Sequence, residues 1–482
     1  MGPIEDAINW LSDGLYTYVL VYLLIGAGLY FTIRSRFVQV RMFPAMIKAV
    51  GSSRSGAGEG ISSFQAFCVG LASRVGTGNI AGVAIALVLG GPGAIFWMWV
   101  VAAVGMATAF IEATLAQMFK VRAADGSYRG GPAYYIQRGL GSRRWGVVFA
   151  LLLIFAFGFA FNMVQANTIA TTFSTSYSVN QGWMAVFLMI LAAPVLYGGV
   201  RRVAKVAEII LPVMAGLYIL LALVVIALNV GEIPTVIGQI FAGAFGLDEA
   251  LAGTTGGILA AMLNGVKRGL FSNEAGMGSA PNIAATATTS HPAKQGLIQS
   301  IGVFVDTMLV CSATAFIVLI SGVYEPGVEP VAEGAALTLA SVSAQLGTWT
   351  TLPMTLLIFV FAFSSILGNY SYADVNLAYL GIRGRALTAL RTLVLAAVGI
   401  GSLLELNAVW ALADVAMAGM AMVNLVAIML LGRWAFGALK DFEVMRKEGR
   451  DDRFVGSGNP YLPGELPGDV WAPQAEDART PV

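Results

Sequence analysis

Long apolar stretches alternate with short polar connections along most of the chain, and two of those stretches are broken mid-course by glycine clusters. A helix that spans hydrocarbon needs about 20 mostly apolar residues. By that measure eleven segments qualify, near 15–33, 62–89, 93–120, 146–173, 183–199, 205–228, 254–286, 297–321, 350–380, 387–403 and 407–437. The apolar stretch 334–347 is too short to span and is expected as a surface helix. The tail after about residue 455, with its prolines and glycines, is expected as extended chain. The pattern predicts an all-α, polytopic membrane protein of about 11 transmembrane helices.

Charge tests that map. Arg74, Lys267 and Arg268 lie within the two broken segments. The other 25 of the 28 Lys and Arg fall on alternate connections: Arg34 to Arg54, Lys120 to Arg144, Arg201 to Lys205, Lys294, Arg383 to Arg391, and Arg433 onward. The opposite connections carry Glu232, Asp248, Glu249, Glu325, Glu329, Glu333 and Glu405 and no basic residue. This segregation follows the positive-inside rule and places the N-terminus outside and the C-terminus in the cytoplasm of a plasma or inner membrane. Setting aside the first segment leaves ten, with the broken segments first and sixth. Five spans repeated after an odd number of crossings must be inverted, so an inverted 5+5 repeat is expected. The expected division is an extra N-terminal helix and basic loop over 1–55, the repeat core over 56–440, and a cytoplasmic tail over 441–482.

Composition narrows the class. The chain has 482 residues, 57% apolar and 11% charged, with a mean hydropathy of +0.77; a soluble globular chain is about one-quarter charged. Residues 1–14 are acidic and lack the basic start of a secretory signal. Cys68 and Cys311 fall in apolar segments and His291 is the single histidine. That argues against a disulfide framework, a zinc site or a histidine-dependent mechanism. No Ser-His, zinc-binding or phosphate-loop constellation is present, so no enzyme is expected. Nor do the residues point to a nucleic acid or a partner protein; the lipid bilayer is the expected surrounding. A channel would need rings of carbonyls or charges along a continuous path, and two breaks at one depth suit an occluded transport site better.

The breaks carry the candidate chemistry. The first reads Val75-Gly76-Thr77-Gly78-Asn79. Glycine lets the backbone leave helical geometry, and the freed N–H groups of Thr77 and Gly78 can meet a carboxylate at the start of the following half-helix. The last carbonyls of the preceding half-helix, at Ala72 and Val75, are free for a cation. The second break runs from Arg268 to Gly278 and places Glu274 at midmembrane depth, where a carboxylate must be paired, protonated or wet. Glu274 could relay a proton, hold the unwound backbone, or pair with Lys267 or Arg268. The peptide groups of Gly269, Phe271, Gly276 and Met277 are the better candidates for direct contact with substrate. Phe161 and Gln165 are four apart and share a helix face that can wall a site. Ser364, Ser365 and the Phe361 carbonyl, added to Ala72 and Val75, make five neutral oxygens. That set suits a monovalent cation, whereas divalent sites recruit carboxylates. Glu112, Asp306 and Asp414 are expected to pair with polar partners or line water.

Four blocks carry a family resemblance: Leu71 to Val83, Gly91 to Trp99, Gly130-Gly131-Pro132-Ala133-Tyr134-Tyr135-Ile136, and Gly269 to Pro281. In order and spacing they resemble the alanine or glycine:cation symporter family over roughly residues 10–440. The resemblance implies the leucine-transporter-like 5+5 architecture and sodium-coupled symport of a small neutral amino acid. It also implies that the Phe161–Gln165 face lines the pocket together with Thr77, Gly78 and Asn79. The sodium oxygens at Ala72, Val75, Phe361, Ser364 and Ser365 match the shared sodium site of such carriers, with Na+ as the co-transported ion and no other metal. Related sequences often have two threonines where Ser364 and Ser365 stand, and tryptophan where this chain has Asn369. An amide there should enlarge and polarise the wall, which opens the alternative of a more polar substrate such as serine or glutamine, or of proton coupling.

Overall fold

Every long apolar run that the sequence delimits is helical, because a backbone in hydrocarbon must satisfy its own N–H and C=O groups. The structure, a computed structural model, describes residues 2–54, 61–124, 126–198, 200–246, 256–328, 332–450 and 453–473. Its helices are α1 (2–34), α2 (Phe43–Gly51), α3 (Ser63–Arg74), α4 (Gly78–Gly90), α5 (Gly93–Met118), α6 (Pro132–Gly139), α7 (Arg143–Tyr177) and α8 (Gln181–Leu196). There follow α9 (Val200–Leu228), α10 (Val230–Phe245), α11 (Gly256–Asn273), α12 (Pro292–Ile320), α13 (Ala335–Leu346), α14 (Thr351–Tyr379), α15 (Gly384–Gly401) and α16 (Leu406–Lys447). The protein is an all-α polytopic membrane protein. Eight helices among the described residues are long and apolar enough to cross a membrane, and the pair α3–α4, bent by 48° at its break, makes a ninth. Two of the eleven sequence segments fall outside that group. Helix α8 is 16 residues long, and α11 carries Lys267, Arg268 and two asparagines, which lower its hydropathy.

Helix α5 is the central post. It packs against α11 on one side and α12 on another, with α1 and α16 completing its surroundings. Helix α1 is thus a structural wall, packed on both α5 and α16. A capping box starts α3: the Ser62 hydroxyl accepts the Gln65 N–H and the Gln65 side chain accepts the Ser62 N–H. Two-residue strands then tie the broken elements together. Strand β1 (Ile61–Ser62), before the first break, pairs in parallel with β4 (Ala287–Thr288), after the second. A separate hairpin joins β2 (Val121–Arg122) to β3 (Tyr128–Arg129).

The structure departs from the sequence reading in three places. Residues Arg268 to Asn273 are helical, so the second break lies at 274–280 rather than from 268. Gly269 does not interrupt α11; its α-carbon packs against Met98 and Val101 of α5. A single interior glycine costs a helix only about 1 kcal/mol. Left-handed φ values of +58° at Glu274, +92° at Gly276 and +81° at Gly278 end it instead. Helix α10, read from sequence as a connection, is an apolar helix whose Gly243 meets Gly93 of α5 backbone to backbone. Tyr134 and Tyr135, within the connection from Lys120 to Arg144, lie on α6. The 334–347 stretch is helical as α13, and the described part of the tail, 453–473, is without helix. The expected domain boundary at 55/56 falls outside the described residues.

The basic connections gather at one end of the bundle. Ser52, Ser53, Lys120, Tyr128, Lys294 and Trp471 line one cavity of about 460 Å³ there. Across it the tail folds back: the Phe454 N–H donates to the Ser290 carbonyl (2.9 Å) and the Trp471 indole to the Gln117 carbonyl (2.8 Å).

Candidate functional site

The first break is held open by close packing rather than by loop freedom. At Gly76 a β-carbon would stand 2.1 Å from the Ser365 hydroxyl, and at Gly78 one would stand 2.8 Å from the Phe271 ring. A side chain at either place must displace its neighbour. The Gly76 N–H, freed from the helix, is capped by the Asn79 side-chain oxygen at 2.9 Å. That contact orients the Asn79 amide, whose nitrogen donates to the Asp306 carboxylate at 2.7 Å and to Ser272 at 3.1 Å. Asn79 therefore ties the first break to α11 and α12. The Thr77 N–H donates to the Gln165 side-chain oxygen at 3.1 Å, and the Thr77 hydroxyl donates to the same oxygen. Two donors on one acceptor is the geometry a carboxylate oxygen would take.

Next to it the oxygens of α3 and α14 converge. Ser365 Oγ lies 2.9 Å from the Ala72 carbonyl and 3.1 Å from the Phe361 carbonyl. Ser364, one residue earlier, faces elsewhere. Its hydroxyl reaches the Phe361 carbonyl at 2.9 Å and the Met214 sulfur at 3.9 Å, and its side chain lines an apolar groove with Val203, Ala207 and Leu367. A 100° step between neighbours on a helix is the cause. Val75, buried, ends α3 at ψ 87°.

At the second break Glu112 of α5 holds the unwound chain. Its carboxylate accepts the Gly276 N–H at 3.1 Å and the Asn424 amide, while that amide also donates to the Gly276 carbonyl at 2.9 Å. Gly276 is thus fully engaged on both its polar groups. The Met277 N–H returns to the Glu274 carbonyl at 3.1 Å. Glu274 does not pair with Lys267 or Arg268. Lys267 reaches Asp13 at 2.7 Å and Arg268 reaches Asp414 at 2.5 Å. Those cations lie on α11 before the break, whereas the Glu274 side chain meets Ser73 at 2.9 Å and Ser279 at 2.6 Å.

An aromatic column walls the site. Phe161 stacks on Phe271 with centroids 4.4 Å apart and planes 6° apart, and on Phe157 at 4.4 Å. Phe271 continues to Trp410 at 4.5 Å, and the Arg268 guanidinium lies 4.4 Å above the Trp410 ring. Beyond Arg268 and Asp414 opens a cavity of about 400 Å³, lined also by Asn9, Ser12, Asp13, Asn264 and Lys267. It lies at the end of the bundle opposite the basic connections.

Of the residues singled out from sequence, Thr77, Gly78, Phe161, Gln165 and Phe271 come together in one cluster, and Ala72, Phe361 and Ser365 in the adjoining one. Ser364 points away toward α9. Gly269, two residues from Phe271 and so on the opposite face of α11, lies against α5. Asn369 is fully buried beneath the first break, with its amide nitrogen on Asn162 at 3.1 Å and its oxygen 2.6 Å from Ser73. Sequence reasoning gave Glu112, Asp306 and Asp414 only general polar partners and did not single out Ser73, Asn424 or Trp410. A carboxylate inside an apolar segment was the signal for the first three. Nothing local marks the others. Among the described residues no cluster of His, Cys, Asp and Glu could hold a metal ion.

A profile described as the sodium:alanine symporter family matches residues 1–456. The amino-acid carrier protein AlsT of Bacillus subtilis is 47% identical over 474 residues, covering 98% of this chain and 99% of its own. The probable sodium/glutamine symporter GlnT of the same organism is 46% identical, covering 94% and 93%. The sodium/alanine symporter AgcS of Methanococcus maripaludis is 38% identical, covering 91% and 97%.

Proposed function

We propose that this chain, which belongs to the sodium:alanine symporter family, uses sodium to drive uptake of a small neutral amino acid of the alanine or glycine class by alternating access. That it is an amino-acid symporter of a membrane follows from the family and the apolar helices. Sodium as the ion, the substrate class and the residues below are the proposal. The observation that carries it is the pair of Thr77 donors converging on one oxygen, beside the Ala72, Phe361 and Ser365 oxygens.

In this reading sodium binds among those oxygens, with Val75 and Ser364 as further candidates, and stabilises the bend between α3 and α4. The substrate carboxylate takes the Thr77 and Gly78 N–H groups, so the Gln165 oxygen yields its place and turns to the ammonium. Phe161, Phe271 and Asn79 shape the pocket, and Met277, Gly276 and Asn369 support it from the second break and from α14. A small side chain suits walls as close as the Phe161–Phe271 stack. With the basic connections in the cytoplasm, the N-terminus lies outside and the 400 Å³ cavity is the outer vestibule. A zwitterion carries no net charge, so each sodium moves one charge. That is about 2.3 kcal/mol at 100 mV, or roughly fifty-fold accumulation before the sodium gradient is added.

The likeness to a glutamine symporter, with the amide of Asn369 near the site, favours a more polar amino acid as the second reading. Uptake competition in proteoliposomes, with and without sodium, tests both. Alanine or glycine should compete best and only with sodium present; equal uptake without sodium would overturn the coupling, and preferential uptake of glutamine or serine the substrate class.

A further inference from the structure

The hydrogen-bond chain beneath the first break asks one Ser73 proton to serve two acceptors, a shortage that a proton on Glu274 makes good. Its anchor is the Gly158 carbonyl, which can only accept. The Asn162 side-chain nitrogen donates to it at 3.2 Å, so the Asn162 oxygen faces Asn369. The Asn369 nitrogen donates to that oxygen at 3.1 Å, which turns the Asn369 oxygen toward Ser73. That oxygen lies 2.6 Å from Ser73 Oγ and needs the Ser73 proton. Ser73 Oγ is also 2.9 Å from Glu274 Oε1, and a hydroxyl has one proton. A proton on Glu274 bridges the second contact. Tyr372, the remaining hydroxyl at this cluster, lies 3.4 Å from the Gly70 carbonyl and also bonds the side chains of Ser73 and Glu274.

The two neighbouring carboxylates are arranged oppositely. Asp306 receives the Asn79 amide at 2.7 Å, Ser272 at 2.6 Å and Thr307 at 2.7 Å. Its Asn79 donor is fixed by the Gly76 N–H on the other end of that amide. Glu112 receives a backbone N–H and the Asn424 amide, with the Tyr135 hydroxyl on the Asn424 oxygen. Donors of this kind suit an anion. Arg74 is the cation that all three carboxylates share electrostatically, yet among the described residues none makes an ion pair with it. Its Nη1 reaches only the Gln299 carbonyl at 3.4 Å, and Cys311 adds a thiol beside Asp306. Three anions around one guanidinium would be costly at this depth, and a proton on Glu274 removes one of them.

We propose that Glu274 is a proton-binding site, separate from the sodium oxygens, loaded in this conformation and emptied when the second break rearranges during the transport cycle. The proton adds to one carboxylate oxygen from the side the site faces and leaves from the same oxygen to the other side, so no other bond changes. Glu274 is suited to release it. It sits in the unwound stretch with a left-handed φ of +58°, held by the hydroxyls of Ser73 and Ser279 with Tyr372 beside it, so a shift of that stretch separates it from Ser73. The coupling rests on the transport reading; the proton count does not.

Infrared difference spectroscopy on the full chain, wild type minus Glu274→Gln, reads the protonation directly. The expected result at neutral pH is the carbonyl band of a protonated carboxylic acid, lost as the pH is raised. Carboxylate bands alone at neutral pH would overturn the site. Asn369→Leu removes the acceptor that claims the Ser73 proton, so it should move the loss of the wild-type band toward acid. That arm needs no Glu274 variant, and an unmoved band would also overturn the count. In proteoliposomes, alanine uptake should acidify the lumen in wild type and not in Glu274→Gln. A band without acidification, or acidification that survives the substitution, would overturn the coupling. Failure of wild type to take up alanine at all would strike the transport reading and leave the infrared result standing.

Discussion

The Gln165 side-chain oxygen accepts the Thr77 N–H at 3.1 Å, 88 positions away in sequence, and so fills the place proposed for a substrate carboxylate. A neutral amide oxygen can yield that place; a charged one competes for it. Gln165→Glu is therefore expected to weaken alanine binding tenfold or more, about 1.4 kcal/mol, as read by ligand-induced thermal stabilisation. Unchanged affinity would put the carboxylate elsewhere.

Ser364 and Ser365 are adjacent in sequence and unequal in space. Ser365 lies 2.9 Å from the Ala72 carbonyl, while Ser364 turns to Met214. A hydrogen bond to a charged group contributes about 1.5–3 kcal/mol, and loss of a neutral ligand to sodium should be of that order. Ser365→Ala is expected to raise the sodium concentration for half-maximal uptake by roughly ten- to a hundredfold. Ser364→Ala should leave it within about threefold, a change under 1 kcal/mol. Equal effects in the sodium titration would mean that the resting geometry misplaces the ion.

The two glycines of the first break should fail in different ways. A methyl at Gly78 meets the Phe271 ring at 2.8 Å, and a ring can be pushed. Gly78→Ala is expected to fold and to lose alanine binding. A methyl at Gly76 meets Ser365 Oγ at 2.1 Å with Ser365 Cβ at 3.1 Å. Overpacking of that kind costs about 1–3 kcal/mol, so Gly76→Ala should also lower the thermal midpoint of the purified protein. Full binding by Gly78→Ala would argue against the amide cradle.

Arg268 and Asp414 form an ion pair at 2.5 Å, with side chains 4% and 5% exposed. Removing one partner of a buried pair strands the other charge, at a cost of about 3–5 kcal/mol. Asp414→Asn should be strongly destabilised, and Asp13→Asn, whose side chain is 68% exposed, only weakly. Comparable thermal midpoints for the two variants would show that the vestibule hydrates Arg268 fully.

Lys120, at the basic end beyond α5, is buried with its Nζ on the Ala287 carbonyl at 3.0 Å, and burial, reinforced by Arg122, lowers its pKa from 10.5 to about 7. Between those values the unfolded chain binds the proton and the folded chain does not. Stability should therefore rise as pH climbs from about 7 toward 10.5. The Tyr128 and Trp471 rings, 4.0 and 5.0 Å away, favour the charged form and narrow that window. Lys120→Met should flatten the rise in thermal midpoint between pH 7 and 9, and a wild-type-like slope would assign the effect to other groups.

The spans, the first break and the all-helical class were readable from residue order because each rests on a local pattern: about 20 apolar residues, or glycines where a helix should continue. Alternation of basic connections predicted which of them share an end of the bundle, and one cavity gathers Lys120 and Lys294 from two of them. Partner choice was not readable. Ser73 meets Asn369 across 296 positions and Asn424 meets Glu112 across 312, and no window of sequence contains both members of either pair. The second break shows the same division. Its glycines announced an interruption, but packing of Gly269 on α5 and the left-handed turn at Glu274 decided where the helix stops. Glycine permits a bend without requiring one, and only neighbours from distant segments make the bent form the lower in free energy.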